Sequence, residues 1–184
     1  MDKVFAQDGV FYPATLPMSW HAESAPSADN IALWMYGNVT LLRALATIEA
    51  LPSGKENEVA AGMGKTLERL EFKIDLTLNL VARLLTQNTA LPPATPLFLS
   101  ATGMEWICSG KPPTQGGDIL ISAFISPKLP QPLMLPAKIA AARQEIDGTR
   151  IYATFTHLSE EAQDWLSRTV FRYHRRAIQT RHHD

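Results

Sequence analysis

Apolar residues in this chain follow two different periods, and the change from one to the other divides it. The opening segment, Val4 to Trp20, mixes the β-favouring Val10, Phe11 and Tyr12 with Pro13 and Pro17. Proline cannot donate to a strand ladder, so the segment is expected as an edge strand or an extended arm. His21 to Pro26 reads as a connector. A helix is expected to start at Ser27 to Asn30, where serine, aspartate and asparagine are all good N-caps. It carries Ile31, Leu33, Trp34, Leu41, Leu42, Leu45 and Ile48 as far as Leu51, and Pro52-Ser53-Gly54 then stops it. Glu56 to about Gln87 is the most regular stretch. Met63, Leu67, Leu70, Ile74, Thr77, Val81 and Leu84 recur in steps of four and three, the a/d rhythm of a heptad seam. Flanking positions begin charged (Glu71, Lys73) and become apolar (Leu78, Leu80, Leu85), and a stripe so widened suits three or more packed helices. Phe72, Leu76 and Leu80 form a second face at helical spacing. Two readings remain open: an intramolecular hairpin of the two helices, or self-association, since one partner helix cannot cover both faces.

Leu91-Pro92-Pro93-Ala94-Thr95-Pro96 ends the helical region. Short β-like runs follow at Leu97 to Leu99, Met104 to Cys108, Ile119 to Ile125, Leu133 to Ala142 and Thr149 to Phe155. They are divided by Gly110, Pro112-Pro113, Gly116-Gly117-Asp118, Pro127, Pro130, Pro132 and Asp147-Gly148, the last a strong hairpin signal. Short strands with tight turns indicate a small antiparallel barrel. Ser159 caps a final helix with Glu160, Glu161 and Asp164 in its first turn, where the helix dipole favours negative charge. Ala162, Trp165, Leu166, Thr169, Val170 and Tyr173 form its buried face, and Arg168, Arg172, Arg175 and Arg176 lie towards its carboxyl end. The expected fold is α+β: residues 1–26 as the barrel's amino-terminal strand or arm, 27–91 as a helical insertion with the heptad helix, and 92–184 as barrel and closing helix.

Composition narrows the function. A length of 184 residues suits one domain with a large insertion, and 46% apolar with 19% charged residues is ordinary for a soluble globular chain. A formal charge of −1 offers no global attraction to nucleic acid or to a membrane. Cys108 is the one cysteine, which rules out an internal disulfide and fits a reducing cytoplasm. No signal peptide is expected from the opening residues, and no uninterrupted apolar run of membrane-span length is present. Gly62-Met63-Gly64-Lys65-Thr66 resembles the end of a phosphate-binding loop, but Val59 stands where its first glycine belongs. The five histidines (His21, His157, His174, His182 and His183) have no zinc-ligand spacing. Cys108 has no cationic neighbour in sequence and reads as an inert thiol, and Ser100 has no GxSxG setting. No catalytic set, metal site or cofactor is expected.

The second half resembles the PilZ domains. Leu99-Ser100-Ala101-Thr102-Gly103-Met104-Glu105-Trp106 looks like their strand–turn segment. Gly117-Asp118-Ile119-Leu120, the late strand Ile151 to Phe155, and Leu158-Ser159 leading to Asp164-Trp165-Leu166 follow in PilZ-like order. The resemblance runs from Pro96 to Arg176, and the long helices between an early strand and the barrel are similar to those of the atypical, tetrameric branch. It implies a bacterial β-barrel that binds cyclic di-GMP through RxxxR ahead of the barrel and (D/N)xSxxG on its surface. Ser100 and Gly103 match the second motif, with Phe98 at its Asp/Asn position, where an aromatic ring offers no acceptor. No arginine precedes His21. Arg168–Arg172 and Arg172–Arg176 have the RxxxR spacing but lie on the closing helix. The resemblance therefore implies a non-catalytic, degenerate member with weak or absent cyclic di-GMP binding. Such a member assembles through its heptad helix, as a tetramer in that branch, and engages protein partners in control of motility, surface behaviour or virulence. A genuine cyclic di-GMP receptor is the alternative. A nucleic-acid or anionic-surface binder using Arg168 to Arg181 is a second alternative, opposed by the core aromatics interleaved there.

Overall fold

The computed structural model describes residues 10–23, 25–50, 70, 74, 77, 91–127, 129 and 131–181. Six antiparallel strands close a barrel: β1 (Tyr12–Ala22), β2 (Ala94–Leu99), β3 (Gly103–Cys108), β4 (Asp118–Ala123), β5 (Leu133–Glu145) and β6 (Gly148–Phe155), in the order β1-β2-β3-β6-β5-β4. Two helices accompany it, α1 (Ala28–Ala50) and α2 (Glu160–Arg181).

The first strand corrects one expectation. β1 is neither an arm nor an edge, because its first half pairs with β2 (Tyr12↔Leu99 to Pro17↔Ala94) and its second with β4 (Met18↔Ala123 to Ala22↔Ile119). The prolines are tolerated because of which way their nitrogens face. The Pro17 carbonyl accepts from the Phe124 N–H at 3.0 Å on the β4 side, so the Pro17 nitrogen points away from β2. Pro13, four residues earlier, shares that orientation, so the β2 ladder never needs a donor from either.

Alternation along the strands sends one row of each inward. Met18, Leu97, Leu99, Met104, Trp106, Ile119, Ile121, Leu133, Leu135, Ile139, Ile151 and Ala153 make one contiguous core. In β5 the register shifts between Ile139 and Ala141, so Ala142 faces Ile151 instead of solvent. That bulge lets β5 run on to Glu145, past its expected end at Ala142. The hairpin loop is Ile146-Asp147, and Gly148 takes φ 138° while pairing with Glu145. A Cβ on Gly148 would sit 2.6 Å from the Cys108 carbonyl oxygen, so the position requires glycine on two counts.

Ser27 caps α1 as expected, its Oγ accepting from the Asn30 N–H at 3.2 Å. Leu41, Leu42 and Leu45 of α1 join the barrel core together with Leu166 and Val170 of α2. Asn38 fixes the docking. Its amide donates to the Met134 carbonyl at 2.7 Å and accepts from the Met134 N–H at 2.8 Å. Over Leu133–Pro136, β5 has no β6 partner, and Asn38 supplies the missing ladder bonds at Met134. By length and composition α1 is apolar enough to cross a membrane; here one of its faces lies on the barrel.

Of the heptad positions, Leu70, Ile74 and Thr77 are helical, and Leu70 and Ile74 are each 51% exposed. Met63, Leu67, Val81 and Leu84 lie outside the described residues, as do Phe72, Leu76, Leu80 and the Gly62–Thr66 segment.

Candidate functional site

The Ser100–Gly103 turn joins β2 to β3, and its side chains are occupied with holding it. Ser100 Oγ accepts from the Gly103 N–H at 2.9 Å and from the Thr102 N–H at 3.2 Å, and lies 3.0 Å from the Gly103 carbonyl oxygen, to which its hydroxyl donates. Ser100 is 4% exposed. Gly103 is small for a local reason as well: a Cβ there would meet the Ala153 carbonyl oxygen at 2.6 Å and the Tyr152 hydroxyl at 2.7 Å. The motif residues build a tight corner. Phe98 pairs with Glu105 across β2 and β3 and presents a ring, not an acceptor.

Beside this turn is a hollow of about 370 Å³, lined by Ser100 to Thr102, Val10, and the α2 residues Ser167, Arg168, Val170 and Phe171. The fold thus brings Ser100 and Arg168, distant in sequence, to one concavity. Arg172 and Arg176 do not line it.

Each of these three arginines has an anionic partner. Arg168 Nη2 is 2.8 Å from Asp164 Oδ2, one helical turn earlier, and its guanidinium lies 5.4 Å from the centre of the Trp165 ring. Arg172 and Arg176 converge on Glu49 near the end of α1, at 2.9 and 3.2 Å. The Tyr173 hydroxyl donates to the same carboxylate at 2.7 Å. Burial first, and then the bond to Glu49, push the Tyr173 phenol well above its usual range. Tyr12, 5.1 Å from the Tyr173 ring centre, is raised for the same two kinds of reason, burial and then the Glu49 charge. Arg43 pairs with Glu161 and completes the α1–α2 contact. His174 Nδ1 donates to the Phe11 carbonyl at 2.7 Å, tying the start of β1 to α2.

Sequence reasoning missed a second ionic cluster, on β3, β5 and β6. Arg150 donates from Nε and Nη2 to the two oxygens of Glu145, at 2.6 and 2.9 Å, and from Nη1 to Glu105 at 2.8 Å. The Arg150 and Glu105 side chains are 6% and 1% exposed. The Arg150 bonds, which outweigh the carboxylate's own desolvation, hold the Glu145 carboxyl below its usual range. Glu105 had a place in the motif string but no role; an acid in an otherwise apolar strand was the available signal. Glu49 left none, since its partners lie more than a hundred residues away. Among the described residues no group of three or more His, Cys, Asp or Glu side chains is placed to hold a metal ion.

The family model described as an atypical PilZ domain, cyclic di-GMP receptor, matches residues 42–182. Among solved structures, a pathogenic protein from Xanthomonas campestris is similar, with 27% identity and a TM-score of 0.69. The alignment covers 93% of this chain and 91% of that one, which is described as a new tetrameric PilZ domain self-assembled via an unusual helical bundle. No curated protein matches the chain. With more than half its length matched by the family model and a closed six-stranded barrel of the same fold, the chain belongs to the atypical PilZ domain family.

Proposed function

We propose that this PilZ domain is a non-catalytic, cytoplasmic adaptor whose nucleotide site is degenerate and which self-associates through its heptad helix to engage protein partners. The observation that carries this reading is the commitment of its cations. A cyclic dinucleotide brings two phosphates, and phosphate recognition needs guanidinium groups free to form bidentate contacts. Here Arg172 and Arg176 share Glu49, and Arg168 is held by Asp164. Ser100 spends its hydroxyl inside its own turn, and Phe98 stands at the motif's acceptor position. No catalytic family is indicated.

Self-association is supported by the half-exposed Leu70 and Ile74 on a helical segment and by the tetrameric state of the Xanthomonas protein. An apolar seam of this kind is costly to leave in water.

The competing reading, a genuine cyclic di-GMP receptor, is favoured by the family description and by Ser100 and Arg168 meeting at one hollow. Isothermal titration of cyclic di-GMP into the full chain separates the two. The adaptor reading expects no saturable heat at micromolar protein; tight stoichiometric binding, reduced by Arg168→Ala, would make the protein a receptor.

A further inference from the structure

α2 has a packed side and an open one. Ala162, Leu166, Thr169 and Val170 are buried towards the barrel, and Arg172, Tyr173 and Arg176 meet α1. The other face carries Arg168, Phe171, Arg175 and Ile178, at steps of three, four and three that keep them on one stripe of the helix. Phe171 and Ile178 are 51% and 43% exposed, and Val10, which lines the hollow with Phe171, is 41% exposed. An exposed aromatic ring next to a hollow with apolar walls marks a place where another surface gains by covering it.

Charge decides what kind of surface. All three α2 carboxylates, Glu160, Glu161 and Asp164, lie in its first five residues; from Trp165 to Arg181 the helix holds five arginines and no acid. Glu49 offsets Arg172 and Arg176, and Asp164 offsets Arg168. Arg175 packs over Phe171, 5.9 Å from the ring centre, and has no carboxylate partner among the described residues. Among the described residues the stripe therefore carries unmatched positive charge around an apolar centre.

We infer that the Arg168–Phe171–Arg175–Ile178 face of α2, with the adjoining hollow, docks an acidic segment of a partner protein whose apolar anchor side chain enters the hollow beside Phe171. The hollow, about 370 Å³, is bounded by Val10, Val170 and Phe171 as well as the turn, which suits a leucine or aromatic anchor better than a sugar-phosphate chain. A carboxylate beside that anchor would meet Arg175, which packs over Phe171. Nucleic acid fits less well, because it needs a row of uncommitted cations, and among the described residues this face has one, Arg175, beside two exposed apolar side chains. The inference deepens the adaptor reading and rests on it.

The test is selection of a random-sequence peptide library on the full-length protein, followed by fluorescence anisotropy with the selected peptides. The expected consensus interleaves aspartate or glutamate with leucine or an aromatic residue. Phe171→Ser should weaken binding about tenfold or more, as for a central anchor contact, and Ile178→Ser less. Arg175→Glu should do likewise and, used as bait, should select basic peptides. All three positions are exposed, so the variants should keep the wild-type circular dichroism. A neutral or basic consensus, no enrichment, binding indifferent to Phe171→Ser, or equal displacement by a single-stranded oligonucleotide overturns the inference. So does a fall in sedimentation mass on Phe171→Ser, which would assign the face to a second copy. Cyclic di-GMP added to the same samples distinguishes the failures. Tight dinucleotide binding that displaces the peptide overturns the adaptor reading, whereas silence from both dinucleotide and peptides overturns this surface alone.

Discussion

Arg150 holds its guanidinium between two carboxylates in a nearly dry setting, Glu105 on one side and Glu145 on the other. Breaking such a cluster from the cation's side strands the Glu105 carboxylate, 1% exposed, without its counter-charge. Arg150→Met is expected to cost about 3–5 kcal/mol, seen as a lower urea midpoint at unchanged slope. The double variant Glu105→Gln/Arg150→Met should recover part of the loss. The sign of the pH effect follows from the depressed Glu145 carboxyl. Its contribution is fully present above the unfolded carboxylate value of about 4.3 and is lost as pH falls through the lower folded value. Acid unfolding of the wild type should therefore be steeper in that range than unfolding of Glu145→Gln. Tyr173 works in the opposite direction. Its phenol is raised, so its stabilisation is complete below the unfolded value of about 10 and disappears as pH rises through the folded one. In an ultraviolet titration, Tyr173→Phe should remove one late-ionising phenol.

At the scale of elements, α1 is the piece that sequence patterning described best and explained least. Its limits were legible from Ser27 and from the apolar spacing, but nothing in the spacing assigns a role to Asn38, in the middle of its buried face. The structure makes it the bond between α1 and the uncovered part of β5. Asn38→Leu leaves the Met134 N–H and carbonyl without partners, at roughly 1–3 kcal/mol for each group. Amide exchange at Met134 should speed up more than exchange in the β3–β6 pairs. β1 teaches the same lesson from the other side. Pro13 and Pro17 lower the strand expectation for any isolated segment, but only the closed barrel shows which side of β1 needs donors.

For the molecule as a whole, the proposed self-association turns on apolar surface left uncovered. Leu70 and Ile74 are exposed on one chain, and burying them between copies would link folding to assembly. Replacing both by glutamate is expected to reduce the sedimentation mass to that of a monomer while the β-type circular dichroism persists. If assembly is coupled to stability, the wild-type Tm rises with protein concentration, whereas the double variant's stays flat. A monomeric wild type at micromolar concentration would favour the expected intramolecular hairpin of residues 30–51 and 56–87 over self-association.

What the linear order of residues determined was local. The helix caps, the Asp147-Gly148 turn region, the β-like runs and the serial motifs each depend on neighbours within a few positions, so they could be read without coordinates. The PilZ kinship was legible for the same reason. What only the tertiary structure decided was which charges are already neutralised. Glu49 meets Arg172 and Arg176 across more than a hundred residues, and Glu105 meets Arg150 across 45. Opposite charges are drawn together once the barrel excludes water, and spacing along the chain contains no record of it.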